Sequence, residues 1–107
     1  MPGDYLADWR PAASRQAIEG RADLLAAIRQ YFSARGVLEV ETPILSQAGN
    51  TDPNIMALQT SEPHPGYLRT SPEYPMKRLL AAGFTDIYEL GKVFRAGERG
   101  AWHNPEF

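Results

Sequence analysis

Apolar residues recur at three- and four-residue spacing between about Arg15 and Arg35, where Ile18, Ala22, Leu25, Ile28 and Phe32 fall on one stripe. That spacing matches the turn of an α-helix and predicts one amphipathic helix. Gly36 follows where a glycine ends a helix, so the helix is expected to stop there. Strand-like patterns come next. "VLEVET" (37–42) alternates in part, and Pro43 demotes it to an edge or interface strand. "SQAGNTDPN" (46–54) is dense in turn residues and reads as a loop. "IMALQT" (55–60) and "YLRT" (67–70) read as short strands around the turn "SEPHPG". A second helix is predicted from Ser71 as N-cap and Pro72 as first helical residue, with Glu73 near the positive helix end and Gly83 as terminator. Met76, Leu79 and Leu80 are its expected core-facing residues. "DIYEL" (86–90) and "KVFRA" (92–96) read as strands around Gly91. The order helix, strands, helix, strands predicts an α+β domain with a mostly antiparallel sheet flanked by helices.

Residues 1–14 carry Pro2, Gly3 and Pro11 and read as a loose leader, or as an arm packed by Tyr5, Leu6 and Trp9. The chain of 107 residues sets a prior of one domain or a piece of one. Its 43% hydrophobic content is enough for a core. No apolar run is long enough for a membrane span, and the start lacks the basic and apolar regions of a secretory signal. The absence of cysteine removes disulfides and thiolate metal sites. A net charge of −2 gives no footprint for non-specific nucleic-acid binding, yet permits a small anionic ligand held by one or two arginines. A cytoplasmic protein is the default expectation.

The densest chemistry lies in "FRAGERGAWHNPEF" (94–107). Arg95 ends a strand-like run and enters a polar loop. Its guanidinium suits a bidentate phosphate or carboxylate contact, or equally a surface ion pair with Glu98. His103 suits a phosphate contact, a proton donor or a turn, and Phe107 suits either a core or base stacking. Glu73 is a capping carboxylate or a partner for a ligand ammonium group. His64 lies between two prolines, and two histidines without spaced carboxylates make no zinc pattern. Neither a P-loop nor a nucleophile-elbow motif occurs.

Taken together, three segments resemble the class II aminoacyl-tRNA synthetases, over about residues 18–107. "RGVLEVETPIL" (35–45) is similar to motif 1, with Pro43 as its characteristic proline. "KVFRAGERGAWHNPEF" (92–107) is similar to motif 2, an arginine strand, a loop and a returning strand. "SPEYPMKRLLAAGFTDIYELGKVFR" joins them and is close to the lysine-specific branch. The "TSPEY" spelling and a leader of only residues 1–17 resemble the truncated paralogues that lack an anticodon-binding domain and modify elongation factor P.

The resemblance implies an antiparallel catalytic domain of which residues 18–107 form the N-terminal part, with motif 3 absent. It implies ATP-dependent activation of lysine or β-lysine, with ATP and magnesium, and transfer to a lysine side chain of elongation factor P. A tRNA acceptor or a non-enzymatic dimerisation role are the alternatives. Arg95 inherits contacts to the α-phosphate and the amino-acid carboxylate, and Phe107 the stack on adenine. His103 and Asn104 match positions near the triphosphate and ribose. Ser71 and Glu73 fall in the amino-acid site, where Glu73 receives the α-amino group. Pro43 falls in a homodimer interface. The family places a glutamate two residues after the arginine, against adenine; here that position is Gly97, and the acid is Glu98. The resemblance also implies that the segment alone is inactive.

Overall fold

The computed structural model describes residues 9–49, 55–97 and 104–107. The chain divides into two units, Met1–Gly36 and Val37–Phe107.

The first unit is built on helix α1, Arg15–Ala34. Ser14 caps it by accepting a hydrogen bond from Ala17 N–H at 3.1 Å, which satisfies one of the orphan donors of the first turn. At the other end Gly36 has φ +73°, the left-handed conformation expected of it, and its N–H reaches Ser33 O at 3.1 Å. Arg35 folds back over the last turn, its guanidinium 3.6 Å from the Tyr31 ring centroid. Of the predicted stripe, Leu25, Ile28 and Phe32 are half-buried, while Ala22 and Ile18 stay exposed. Trp9 is exposed and stacks with Arg10 rather than packing an arm; Tyr5 and Leu6 lie outside the described residues.

The second unit is the α+β part. Strands β1 (Leu38–Glu39), β2 (Leu45–Ser46), β3 (Gln59–Thr60) and β4 (Gly66–Leu68) precede helix α2 (Glu73–Ala81), and β5 (Ile87–Tyr88) follows it. β2, β4 and β3 form an antiparallel sheet in that order, with Leu45 opposite Leu68 and Gln59 opposite Tyr67. β1 and β5 pair in parallel, Leu38 opposite Ile87, and α2 lies within the crossover between them. Phe94 bridges Glu106 in antiparallel fashion, and Val93 and Phe107 exchange both backbone hydrogen bonds, at 2.7 and 2.9 Å. This is the strand and returning strand expected around Arg95.

The strands are shorter than the patterns predicted. "VLEVET" keeps only Leu38–Glu39 as a ladder, because beyond Val40 the chain turns its Thr42 amide to a side chain instead of a strand. "IMALQT" keeps Gln59–Thr60, "YLRT" is strand only through Leu68, "DIYEL" keeps Ile87–Tyr88, and "KVFRA" contributes a single bridge. Ser46, the first residue of the expected loop, instead joins Leu45 in a strand, fixed by its register against β4. Helix α2 also starts later than expected. Its N-cap is Pro72, since Met76 N–H reaches Pro72 O at 3.0 Å, while the Ser71 hydroxyl accepts from Glu73 N–H at 3.2 Å. Met76 and Leu79 are half-buried but Leu80 is exposed.

No apolar side chain among the described residues is fully buried; the buried residues are Arg69 and Thr70. No helix among the described residues is long and apolar enough to cross a membrane.

Replacing Ser14 by alanine removes the α1 cap and is expected to cost about 1 kcal/mol. Reduced helicity by circular dichroism and an earlier urea midpoint would register it, and Ser14→Gly should cost less.

Candidate functional site

Arg69 follows β4 directly and sits on a buried set of partners. Its Nη1 donates to Glu89 Oε2 at 2.6 Å and to Thr42 Oγ1 at 2.9 Å, and its Nε donates to Lys92 O at 2.8 Å. Thr42 completes the ring: its hydroxyl and its amide both donate to Glu89 Oε1, at 2.6 and 3.2 Å. The Arg69 and Glu89 side chains are 6% and 3% exposed, so this ion pair is out of water. Gly91 lies against it. A Cβ there would overlap Arg69 Nη2 and come within 3.0 Å of Glu89 Oε2. The Arg69 backbone is engaged as well, with its N–H on Ile44 O at 2.8 Å and its carbonyl accepting Phe94 N–H at 2.9 Å.

That last bond leads to Arg95. Its N–H bonds Pro105 O at 2.9 Å, holding it on the strand pair that also carries Phe107. The Arg95 guanidinium lies 5.4 Å from the Phe107 ring centroid. Its Nε is buried and has no hydrogen-bond partner among the described residues. An unpartnered buried donor costs roughly 1–3 kcal/mol, and that cost is recovered when an anion accepts from it. Phe107 keeps half its surface exposed. The two residues thus offer a cation with spare donors beside an aromatic platform.

The other expected site residues are placed less closely together. Gly97 has φ +80°, and a Cβ built there would meet nothing. Backbone conformation rather than crowding therefore favours glycine at the position where the family carries a glutamate. Asn104 is exposed at the start of the returning strand. Glu98 and His103 lie outside the described residues. Glu73 projects from the first turn of α2, where Lys77 Nζ holds its carboxylate at 2.7 Å. The hydrogen bond from Lys77 to that carboxylate, and then its charge, raise the Lys77 pKa above its usual value. A cavity of about 570 Å³ is lined by Pro43, Gln47, Arg69, Ser71, Tyr74 and Arg78 among others. Ser71 and Pro43 thus share a cavity that Glu73, Arg95 and Phe107 do not line.

Sequence reasoning missed Arg69 and Glu89. Both were read as members of short strands and given no chemistry. The available signal was a pair of opposite charges, each set inside a short apolar run, "YLRT" and "IYEL". Charges so placed are buried only when paired.

An arginine on a bridged pair of strands beside a half-exposed aromatic ring, next to a small antiparallel sheet, agrees with the class II synthetase resemblance read from the sequence. The chain belongs to the class II tRNA synthetases (D, K and N), whose family model matches residues 4–107. Among curated proteins it is similar to the elongation factor P–(R)-β-lysine ligase of Vibrio vulnificus (strain YJ016), with 52% identity over 94% of this chain and 33% of that protein. The proteins of the same name from Photorhabdus laumondii and Vibrio cholerae are each 51% identical, again over 94% of this chain and 33% of their own length. The chain spans about a third of the length of these relatives.

Glu89→Ala would strand the Arg69 charge in a dry site and is expected to lower unfolding stability by about 3–5 kcal/mol. The double change Arg69→Met/Glu89→Gln removes both charges and should cost much less. Urea unfolding of the two variants in parallel checks the ordering.

Proposed function

We propose that the protein carrying this chain activates lysine or β-lysine with ATP and transfers the aminoacyl group to a lysine side chain of elongation factor P. The observation that carries the reading is the buried, unpartnered Nε of Arg95 beside the half-exposed Phe107 ring. The kinship with three ligases of that name supplies the substrate class.

In the first step a carboxylate oxygen of the amino acid bonds to the ATP α-phosphorus. The bond from that phosphorus to the bridging oxygen breaks, and pyrophosphate leaves with the electron pair. Negative charge gathers on the α-phosphoryl oxygens, and a pre-positioned guanidinium stabilises it most in the transition state. Arg95 takes that part, with Phe107 stacked on adenine. Gly97 offers the nucleotide backbone rather than a side chain, while Asn104, His103 and Glu98 are the further nucleotide contacts. In the second step the acceptor amine attacks the carbonyl of the mixed anhydride, an amide forms, AMP leaves and the amine proton passes to solvent. Among the described residues no three carboxylate or imidazole groups converge into a metal site. Magnesium would accompany the ATP phosphates as their counter-ion, and no step is assigned to it.

Glu73 is the acceptor for the α-amino group of the amino acid, and the substrate ammonium replaces Lys77 on it. Ser71 borders the cavity beside α2 and contributes to the same amino-acid site. Pro43 belongs to a homodimer interface; its neighbours Ile44 and Leu45 are exposed apolar residues of the kind such an interface covers. Both substrates and the acceptor are cytoplasmic molecules, so the reaction is assigned to the cytoplasm. Because the chain spans a third of its relatives, the isolated segment is expected to be inert.

The full-length protein, given ATP, magnesium and labelled lysine or β-lysine, is expected to label elongation factor P and leave tRNA unlabelled. Label on tRNA would replace the ligase reading by a synthetase one. Absence of ATP–pyrophosphate exchange would overturn both and favour a non-enzymatic dimerisation module. Arg95→Ala should abolish exchange, whereas Phe107→Ala should raise the KM for ATP by about tenfold, the equivalent of roughly 1–3 kcal/mol of lost stacking. The 107-residue segment alone should show no exchange.

A further inference from the structure

Arg69 touches no part of the proposed nucleotide site, yet it contacts both sides of the segment that presents Arg95. Its Nε holds Lys92 O at 2.8 Å, and its own carbonyl holds Phe94 N–H at 2.9 Å. Arg95 is the next residue. The same guanidinium is tied through Thr42 to the stretch that runs into Pro43, at 2.9 Å to the hydroxyl and 3.3 Å to the carbonyl. Glu89 fixes the guanidinium in place by accepting from both Arg69 and Thr42. Gly91 leaves the space that Arg69 Nη2 occupies. One buried residue therefore spans three stretches of chain: its side chain reaches the one before Pro43, the one at Glu89 and Lys92, and its backbone carbonyl reaches Phe94.

We infer that Arg69, with Glu89, Thr42 and Gly91, forms a clamp of positioning residues that sets the presentation of Arg95 for the activation step. This rests on the role proposed for Arg95 but adds Glu89, Thr42 and Gly91, which do not line the cavity beside α2, and Arg69, which reaches its edge. A guanidinium displaced by a fraction of an ångström still binds a ground-state phosphate, but it stabilises a transition state less well. Loss of the clamp therefore shows as a fall in kcat with the KM for ATP nearly unchanged. Loss of global stability alone does not produce that split once the folded fraction is normalised.

The clamp also predicts which residues depend on one another. A methyl at position 91 is harmful because it evicts Arg69. It should be harmless where Arg69 has already been replaced by a flexible, neutral side chain.

The test uses the full-length protein, with kcat and KM for ATP measured by pyrophosphate exchange. Hydrogen exchange at the Phe94 and Arg95 amides is followed alongside. Gly91→Ala is expected to lower kcat by about tenfold or more, with KM for ATP within about threefold, and to speed exchange of the Phe94 amide while the amides of α2 are unchanged. Added to an Arg69→Met/Glu89→Gln background, the same substitution is expected to change kcat by less than about twofold. An equal fall in both backgrounds would overturn the clamp, as would Phe94 protection that is untouched by Gly91→Ala. Should Gly91→Ala fail to fold, Thr42→Val removes the bridging hydroxyl with little change in volume. It is expected to give a smaller kcat loss with the same split, and unchanged kcat together with unchanged Phe94 exchange would overturn the inference. A wild-type protein without pyrophosphate exchange would defeat the ligase reading alone; the Phe94 and Arg95 amides would still decide whether the clamp holds that strand.

Discussion

The buried ion pair between Arg69 and Glu89 is the constraint on which the second unit depends. Taking two charges out of water costs several kcal/mol each, so the pair persists only if geometry and further hydrogen bonds recover that cost. Here they do so densely. Both Glu89 oxygens are engaged, and Arg69 divides its donors among a carboxylate, a hydroxyl and backbone carbonyls. Each partner comes from a different stretch of chain, so satisfying the charges forces those stretches together. Apolar contacts would hold the same stretches with less directional control. The network thus fixes the relative placement of these stretches by direction as well as by proximity.

Much of the fold was legible because its signals are local. The α1 stripe, its glycine stop and the start of α2 near Ser71 depend on spacing and on cap chemistry within a few residues. Strand extents were not legible, because a ladder depends on a partner chosen by tertiary structure. Thr42 illustrates this: its β-branched side chain argued for strand, yet its amide and hydroxyl serve Glu89, 47 positions later in sequence. Ser46 shows the converse, the first residue of an expected loop drawn into a strand by its register on β4. The parallel pairing of β1 with β5 likewise had no local sign.

The candidate site was legible in another way. Arg95, Phe107 and Gly97 were reached through motif resemblance, and the geometry adds physical content to each. Arg95 carries a buried donor without an acceptor among the described residues, Phe107 a half-exposed ring, and Gly97 a backbone conformation that a side chain would strain. Arg69 was not reached by that route, because its significance lies in long-range partners rather than in its neighbours in the chain.

The two arginines separate structure from function by a simple accounting of donors. Arg69 is as buried as any described residue, and its Nε and Nη1 both meet protein acceptors, so those donors call for no ligand. Arg95 is half-buried, stacks on Phe107 and leaves its buried Nε without an acceptor. Folding alone gives no reason to leave such a donor unpaired, since a carbonyl or carboxylate nearby would remove the cost. A ligand that brings its own acceptors gives one. On the proposed reading the same residue type fills opposite roles a single backbone hydrogen bond apart, from Arg69 O to Phe94 N. The first, held by its partners, supports the strand on which the second keeps an unpaired donor.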